Sequence, residues 1–438
     1  MTQLIDHDAP VQRALVIHPV RTGETAARDP EARLEEAVGL ALALDLEVVE
    51  AFVVSLRGRT PATLFGKGKV EELRLLCEVE KVDVVMVDEA LTPVQQRNLE
   101  RAWNVKVVDR SGVILEIFGR RARTREGVLQ VELARLEYER SRLVRTWTHL
   151  ERQRGGTGST GGPGERQIEL DRRQIADRIV KMKKELTEVR RTRSLHRSQR
   201  KKVPYPTVAL VGYTNAGKST LFNRLTEAQV VAKDMLFATL DPTLRTVKLP
   251  GGRPAILSDT VGFISDLPHE LVEAFRATLE EVQEADVVLH VRDIANPDSE
   301  AQKRDVETVL EDLGVTAEAG RRIIEVWNKA DLLAQDDRID AEGAARRVGA
   351  ALVSAVTGEG CEALLQRLAT LVDVTPEIDV VLDAGAGEAL AWLYRHGRVV
   401  GRHEGGEGGL HLRVRLDAQA LGRFERLFPE AHVAEAAE

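Results

Sequence analysis

The sequence predicts an α/β protein in which two alternating strand–helix regions flank an all-helical insert and a small α+β tail closes the chain. Three observations predict it. Apolar strand-like runs alternate with helix-like runs over residues 13–109 and again from residue 207 onward, the pattern of parallel sheets. Strand signal vanishes over residues 121–200. A glycine-rich turn at residues 212–217 lies between an apolar strand and a helix, as in doubly wound sheets.

The elements follow in order. RALVIHP, PEARLEEAVGLALAL and LEVVEAFVVSL read strand, helix, strand, with Pro30 suited to a first helical turn. Residues 67–80 read as a helix, VDVVMVD as a strand, 93–103 as a helix and VKVVD as a strand, so the first domain spans 1–120. Residues 121–202 read as a helical hairpin, with helices over 128–153 and 167–199. Between them, residues 155–164 hold six glycines and a proline, too permissive for a fixed shape without a partner. Pro204 and Pro206 mark a boundary. TVALVG, AILSD, DVVLHVRD, RIIEVW and AALVSA then read as strands of a doubly wound domain over 203–374, with one helix over 267–285 opened by Pro268. Residues 230–247 carry few regular signals and read as a mobile loop. The tail, 375–438, reads strand, helix, two strands around EGGEGG, then helix: a small α+β domain.

At roughly 100–200 residues per domain, the 438 residues are ample for several cores. Two cysteines, Cys77 and Cys361, exclude a disulfide scaffold and a Cys-rich zinc module. The ten histidines show no metal-ligand spacing, and His18, His149 and His290 read as structural or surface residues. The most apolar window, 37–56, is broken by Asp45, Glu47 and Glu50, and the N-terminus lacks a signal-peptide pattern, so a cytoplasmic monomer without a membrane span is expected. Charge is uneven. Residues 120–202 hold 24 Lys and Arg against 11 Asp and Glu, a net +13 in a chain whose total is −8. A polyanion-facing hairpin is the expectation.

Four motifs carry chemistry. Gly212, Tyr213, Thr214, Asn215, Ala216, Gly217, Lys218 and Ser219 fit G-x-x-x-x-G-K-[ST] in the strand-to-helix context that this phosphate loop requires. Its backbone N–H groups would cradle phosphates, Lys218 would reach the β and γ phosphates, and Ser219 would ligate Mg²⁺. Asp259, Thr260, Val261 and Gly262 end an apolar strand; the acid can hold the magnesium shell and the Gly262 N–H can face a γ-phosphate. Asn328, Lys329, Ala330 and Asp331 follow another strand. The Asp331 carboxylate can accept two donors from the N1/N2 edge of guanine, which adenine lacks, with Asn328 bracing the loop and contacting the base. Ser354, Ala355 and Val356 follow the last strand, where the Ala355 N–H can meet guanine O6. A γ-phosphate switch needs a hydroxyl in the loop between the first two motifs, and Thr239 and Thr243 both qualify. Together these motifs point to a P-loop GTPase with GTP as substrate and Mg²⁺ as cofactor.

The ordered set is similar to that of translation-factor-class GTPases, and the whole chain resembles the HflX family of ribosome-associated GTPases. LFGKGKVEEL, GGTGSTGGPGERQIELDRR, GYTNAGKSTLFNRLT, LFATLDPTLR, DTVGFISDLP and NKAD carry the resemblance. It places the switch threonine in FATLD, which selects Thr239 and sets Phe237, Ala238, Leu240 and Asp241 beside the nucleotide. Lys218, Thr239 and Gly262 become the implied catalytic residues, with Ser219 and Thr239 as metal ligands. The resemblance further implies binding to the large ribosomal subunit and its RNA, and the splitting or rescue of stalled ribosomes under stress. Alternatives are a GTP-gated docking regulator and an ATP-dependent RNA remodeller, with Asp88, Glu89 and Asp109 as strand-end candidates for ATP. Related GTPases with Asn at the Asn215 position bind K⁺, which makes K⁺ a second candidate cation. Two departures stand out. The Gly-rich loop lacks the family arginine, for which Arg154 and Arg166 could substitute, and Phe263 occupies the place where Ras-like enzymes carry a water-orienting Gln.

Overall fold

In a computed structural model, the structure describes residues 11–22, 28–56, 58, 60–151, 163–200, 205–226, 236–237, 239–240, 242–250, 252, 254–265, 276–316, 322–372, 377–383, 385–404, 409–416 and 418–435. The chain divides into two compact units, Met1–Arg367 and Leu368–Glu438.

The first unit opens with β1 (Arg13–Arg21), α1 (Pro30–Leu42), β2 (Glu47–Leu56), α2 (Lys67–Val79), β3 (Val84–Val87), α3 (Pro93–Trp103) and β4 (Lys106–Asp109). The strands form a parallel sheet in the order β2-β1-β3-β4. Local chemistry sets the helix ends. The Asp29 carboxylate accepts from the Ala32 N–H ahead of Pro30, and Thr92 with Gln95 makes a reciprocal capping box at α3. Both faces of the sheet are buried, so β1 and β3 read as nearly continuous apolar runs. Leu15, Ile17 and Val85 pack with Leu73 of α2 and Leu99 and Trp103 of α3. Ala14, Val16 and Met86 pack on the other side with Leu40 of α1.

That second face gains a helix, α4 (Arg110–Arg121), in a stretch the alternation left unassigned. Asp109 caps it, accepting from the Gly112 N–H at 2.9 Å, and Ile114, Ile117 and Phe118 enter the core. The hairpin follows as α5 (Arg125–Glu151) and α6 (Pro163–Arg200). α5 begins three residues before the expected start. α6 begins at Pro163, inside the expected loop, because a proline at the first helical position loses no hydrogen bond there. Ile179 and Leu186 of α6 and Val131, Ala134 and Leu136 of α5 are buried, and Lys183 pairs with Glu137 at 2.9 Å. The rest of the Gly-rich loop, with Arg154, lies outside the described residues.

The second sheet contains β5 (Thr207–Gly212), β6 (Thr243–Lys248), β7 (Pro254–Asp259), β8 (Val287–Asp293), β9 (Arg322–Asn328) and β10 (Ala351–Leu352), with α7 (Lys218–Thr226) after β5. Its order is β10-β9-β8-β5-β7-β6, parallel except for β6, which runs antiparallel to β7. β6 corrects the expectation of a loop through residue 247: Thr243 pairs with Asp259 as a strand residue. Half of TLRTVK is exposed, as an edge strand allows, and so it resembles a polar loop in sequence. Of the expected helix over 267–285, Arg276–Glu284 is seen, and 266–275 lies outside the described residues. Strand order reverses at β5, between β7 and β8, which opens a crevice at the carboxyl edge.

In the second unit, β11 (Glu377–Leu382), β12 (Arg398–Glu404), β13 (Leu410–Arg415) and β14 (His432–Glu435) form an antiparallel sheet ordered β12-β13-β11-β14. Val380, Leu393, Val414 and Phe424 fill its core. β14 was not expected from the sequence. Among the described residues, no helix is long and apolar enough to cross a membrane.

Candidate functional site

Loops from β5, β7 and β9 and the loop after β10 meet at the carboxyl edge of the second sheet. The turn after β5 leads directly into α7. Gly217 is left-handed there (φ +85°), and a Cβ on it would lie 2.2 Å from the Asn328 amide nitrogen. The loop can therefore approach the β9 loop only with glycine. Asn328 ties the two together: its Nδ2 donates to the Ala216 carbonyl at 2.9 Å, and its Oδ1 accepts from the Ala355 N–H at 3.0 Å. Asn328 thus links the turn after β5 to the loop after β10. The Ala355 N–H, expected to face guanine O6, is engaged by Asn328, because that amide must satisfy both of its ends in a buried place. Asp331 lies exposed in the short 3-10 turn Ala330–Leu332, while Lys329 is left-handed and its ammonium pairs with Asp293 at 2.7 Å. Ser354 is buried, and its Oγ accepts from the Thr357 N–H. Val356 is 65% exposed, and its carbonyl accepts from Arg224.

Lys218 is buried at the start of α7 and donates to the carbonyls of Gly212 (3.1 Å) and Tyr213 (2.6 Å). Burial pushes its ammonium down to about 8, with Asp259 pulling in the other direction. Gly262 packs against this loop so tightly that a Cβ would lie 2.9 Å from Thr214 and 3.0 Å from the Lys218 ammonium. Phe263 locks the same contact. Its carbonyl accepts from the Thr214 N–H at 2.7 Å, its N–H donates to the Gly212 carbonyl at 3.1 Å, and its ring is buried. Thr260 donates to the Leu210 carbonyl, and Val261 is in the core. Asn215 is left-handed (φ 58°) and exposed, a backbone state that asparagine tolerates better than most residues.

Three hydroxyl and carboxyl oxygens converge beside this loop. Ser219 Oγ and Thr239 Oγ1 lie 2.8 Å apart, and each donates to Asp259 Oδ2 at 2.7 Å. Asp259 Oδ1 is buried with no partner among the described residues. Burial raises the Asp259 carboxyl above its ordinary value despite both hydroxyls and Lys218. A buried carboxylate short of positive charge, ringed by hard oxygens, fits a small divalent cation such as Mg²⁺.

Phe237 and Leu240 were expected beside the nucleotide. Instead both side chains are buried in the core that also holds Phe118, because a loop this apolar is more stable there than beside phosphates. Ala238 and Asp241 lie outside the described residues. The Tyr213 side chain also turns away from the crevice. Its hydroxyl donates to Glu36 (2.5 Å) and accepts from Arg28 (3.0 Å) and from the Ser265 N–H (2.9 Å). Around Ser265, Arg110 reaches its carbonyl and hydroxyl and pairs with Asp88 and Glu36, while Arg33 also contacts the hydroxyl. Burial alone would raise the Asp88 carboxyl, but Arg110, His18 and Arg33 hold it below the usual range. None of these cross-connections is visible in a local motif. They join residues from 22 to 232 positions apart, Arg28–Tyr213 and Arg110–Ser265 by 185 and 155.

The fold and site define a P-loop GTPase. Family models described as GTP-binding GTPase N-terminal, GTP-binding GTPase Middle Region, 50S ribosome-binding GTPase and HflX C-terminal domain match residues 31–119, 121–200, 207–329 and 341–437. A GTPase HflX of Magnetococcus marinus is 52% identical over 421 residues, covering 96% of this chain and 95% of the relative. The GTPase HflX of Escherichia coli is 45% identical over 360 residues, 82% of each. A solved GTP-binding protein from Sulfolobus solfataricus, in complex with GDP, is similar at 22% identity and TM-score 0.45, covering 83% of this chain and 99% of that one. The chain belongs to the HflX family of GTPases, and it hydrolyses GTP.

Proposed function

We propose that this GTPase acts on the large ribosomal subunit in the cytoplasm and uses its GTP cycle to split or rescue stalled ribosomes. The observation that carries this reading is the set of exposed basic residues on α6, among them Arg172, Arg173, Arg178, Lys181 and Lys184. Such a concentration of cations neutralises RNA phosphates and makes binding strongly salt-dependent. The 50S ribosome-binding description of the matching GTPase model agrees with it.

In the site, Ser219, Thr239 and Asp259 would hold Mg²⁺, which when bound neutralises charge on the β and γ phosphates. Lys218 would exchange its two carbonyl acceptors for phosphate oxygens. The Gly262 N–H would face the γ-phosphate, Asp331 would read guanine, and Asn328 would keep the two loops in register. Phe263 is buried and cannot orient water. Unassisted turnover is therefore slow, and the large subunit accelerates it by ordering the switch segments. K⁺ beside Asn215 is a second cation reading, and equal turnover in Na⁺ and K⁺ would dismiss it.

Turnover of GTP and ATP, with and without large subunits, tests the reading: GTP alone should be used, and faster with subunits. Sedimentation of assembled ribosomes with GTP or a non-hydrolysable analogue separates splitting from GTP-gated docking. Lack of splitting in both leaves the docking role. ATP-driven remodelling through the N-terminal region has less support. Asp88 is engaged by Arg110 and His18, and Asp109 by Tyr138, Arg142 and the Leu91 and Gly112 N–H groups.

A further inference from the structure

We propose that Arg121, the last residue of α4, is a positioning residue for GTP hydrolysis that holds Thr239 at the cation site through the Phe237 carbonyl. The Arg121 guanidinium donates to that carbonyl at 2.7 Å. The Phe237 ring stands edge-on to Phe118, one helical turn earlier on α4, with centroids 4.6 Å apart and planes at 76°. Leu236 rests on α1 at Gly39, where a Cβ would lie 3.1 Å from its Cδ1. Phe237 holds a left-handed backbone (φ 56°), which a bulky aromatic residue adopts only when its surroundings impose it. Thr239 is two residues on, a reach of at most about 7 Å. Beyond it, Leu240 is buried in the same core. The switch hydroxyl thus follows a segment held by α1 and α4 and precedes a buried leucine, while its Oγ1 sits 2.7 Å from Asp259.

Arg121 also stands at a joint. Three residues separate α4 from α5, the first helix of the basic hairpin. A displacement of the hairpin root reaches the Phe237 carbonyl directly.

The inference rests on the reading of Thr239 as a ligand of the cation. Its test uses the full chain with Arg121→Ala, Arg121→Lys and Thr239→Ala, measuring kcat, KM for GTP and the Mg²⁺ requirement, the last both from turnover and, without turnover, as Mg²⁺ affinity by calorimetry with a non-hydrolysable GTP analogue bound. Loss of an outer support should lower kcat by about tenfold and raise the Mg²⁺ requirement severalfold. KM should stay within about twofold, since loss of an arrangement needed only for reaction moves kcat rather than ground-state binding. Arg121→Lys, which retains a donor, should restore most of both. Native kcat and Mg²⁺ requirement in Arg121→Ala overturn the proposal, as does a fall in kcat with unchanged Mg²⁺ requirement and no rescue by lysine. Arg121→Gln gives the same reading if the alanine variant is insoluble. A Thr239→Ala enzyme with native Mg²⁺ dependence would sink the Thr239 reading itself; a defective Thr239→Ala beside a native Arg121→Ala would sink Arg121 alone.

Discussion

Single side chains here are placed by what they must satisfy in a buried setting. Asp331, by contrast, is exposed and therefore available to a base. Asp331→Asn should weaken GTP binding by about 10³-fold or more while leaving ATP binding as poor as before, because an amide cannot accept both guanine donors. Competition binding with the two nucleotides checks this. His290, in the middle of β8, is 2% exposed, and its Nε2 is without a hydrogen-bond partner among the described residues. Burial, with Arg292, Lys303 and Lys218 nearby, pushes its imidazole down to about 4, against the pull of Glu325. Above the ordinary histidine value of about 6.5 both folded and unfolded forms are neutral. As pH falls from there the unfolded chain takes up the proton first, so stability is lost down to about pH 4, by up to about 3 kcal/mol. His290→Gln should flatten that acid limb in urea unfolding between pH 6.5 and 4. An unchanged limb would show that the imidazole is not held neutral.

Elements, rather than residues, decide how the phosphate loop meets the N-terminal helices. The turn after β5 presents Tyr213 to α1, where Glu36 accepts its hydroxyl proton. The segment after β7 presents Ser265 to Arg110 at the head of α4. Tyr213→Phe removes one donor and leaves Glu36, Arg28 and the Ser265 N–H each short of a partner. The expected loss is about 1–3 kcal/mol of stability, read as an earlier urea midpoint. A midpoint equal to the native one would mean that water replaces the hydroxyl. Element-level reading from sequence succeeds where the apolar period is strong. Residues 93–103 form α3 as expected from Pro93, and VALVG forms β5. It misses β6, half of which faces solvent, and α4, whose compact run SGVILEIF is too short and too uniformly apolar to show a period.

For the whole molecule, the basic hairpin and the nucleotide crevice belong to one compact unit and share α4 as their junction. Replacing Arg172, Arg173 and Arg178 by Glu should reduce affinity for ribosomal RNA and make its logarithmic salt slope shallower by roughly two units. GTP turnover without ribosomes should stay native, since these side chains are exposed on α6. An unchanged salt slope would move the RNA contact elsewhere.

What the sequence by itself determined is the chemistry-bearing motifs and their strand-end placement, because phosphate and guanine recognition depend on short backbone turns. Gly217, Lys218, Asp259 and Asn328 could be read from spacing alone. The tertiary structure alone decided where Phe237 and Leu240 go, that the Ala355 N–H is taken by Asn328, and that Arg121 and Arg110 meet the switch segments. Those outcomes depend on which buried polar and apolar groups find partners across long chain separations, and no local pattern encodes that competition.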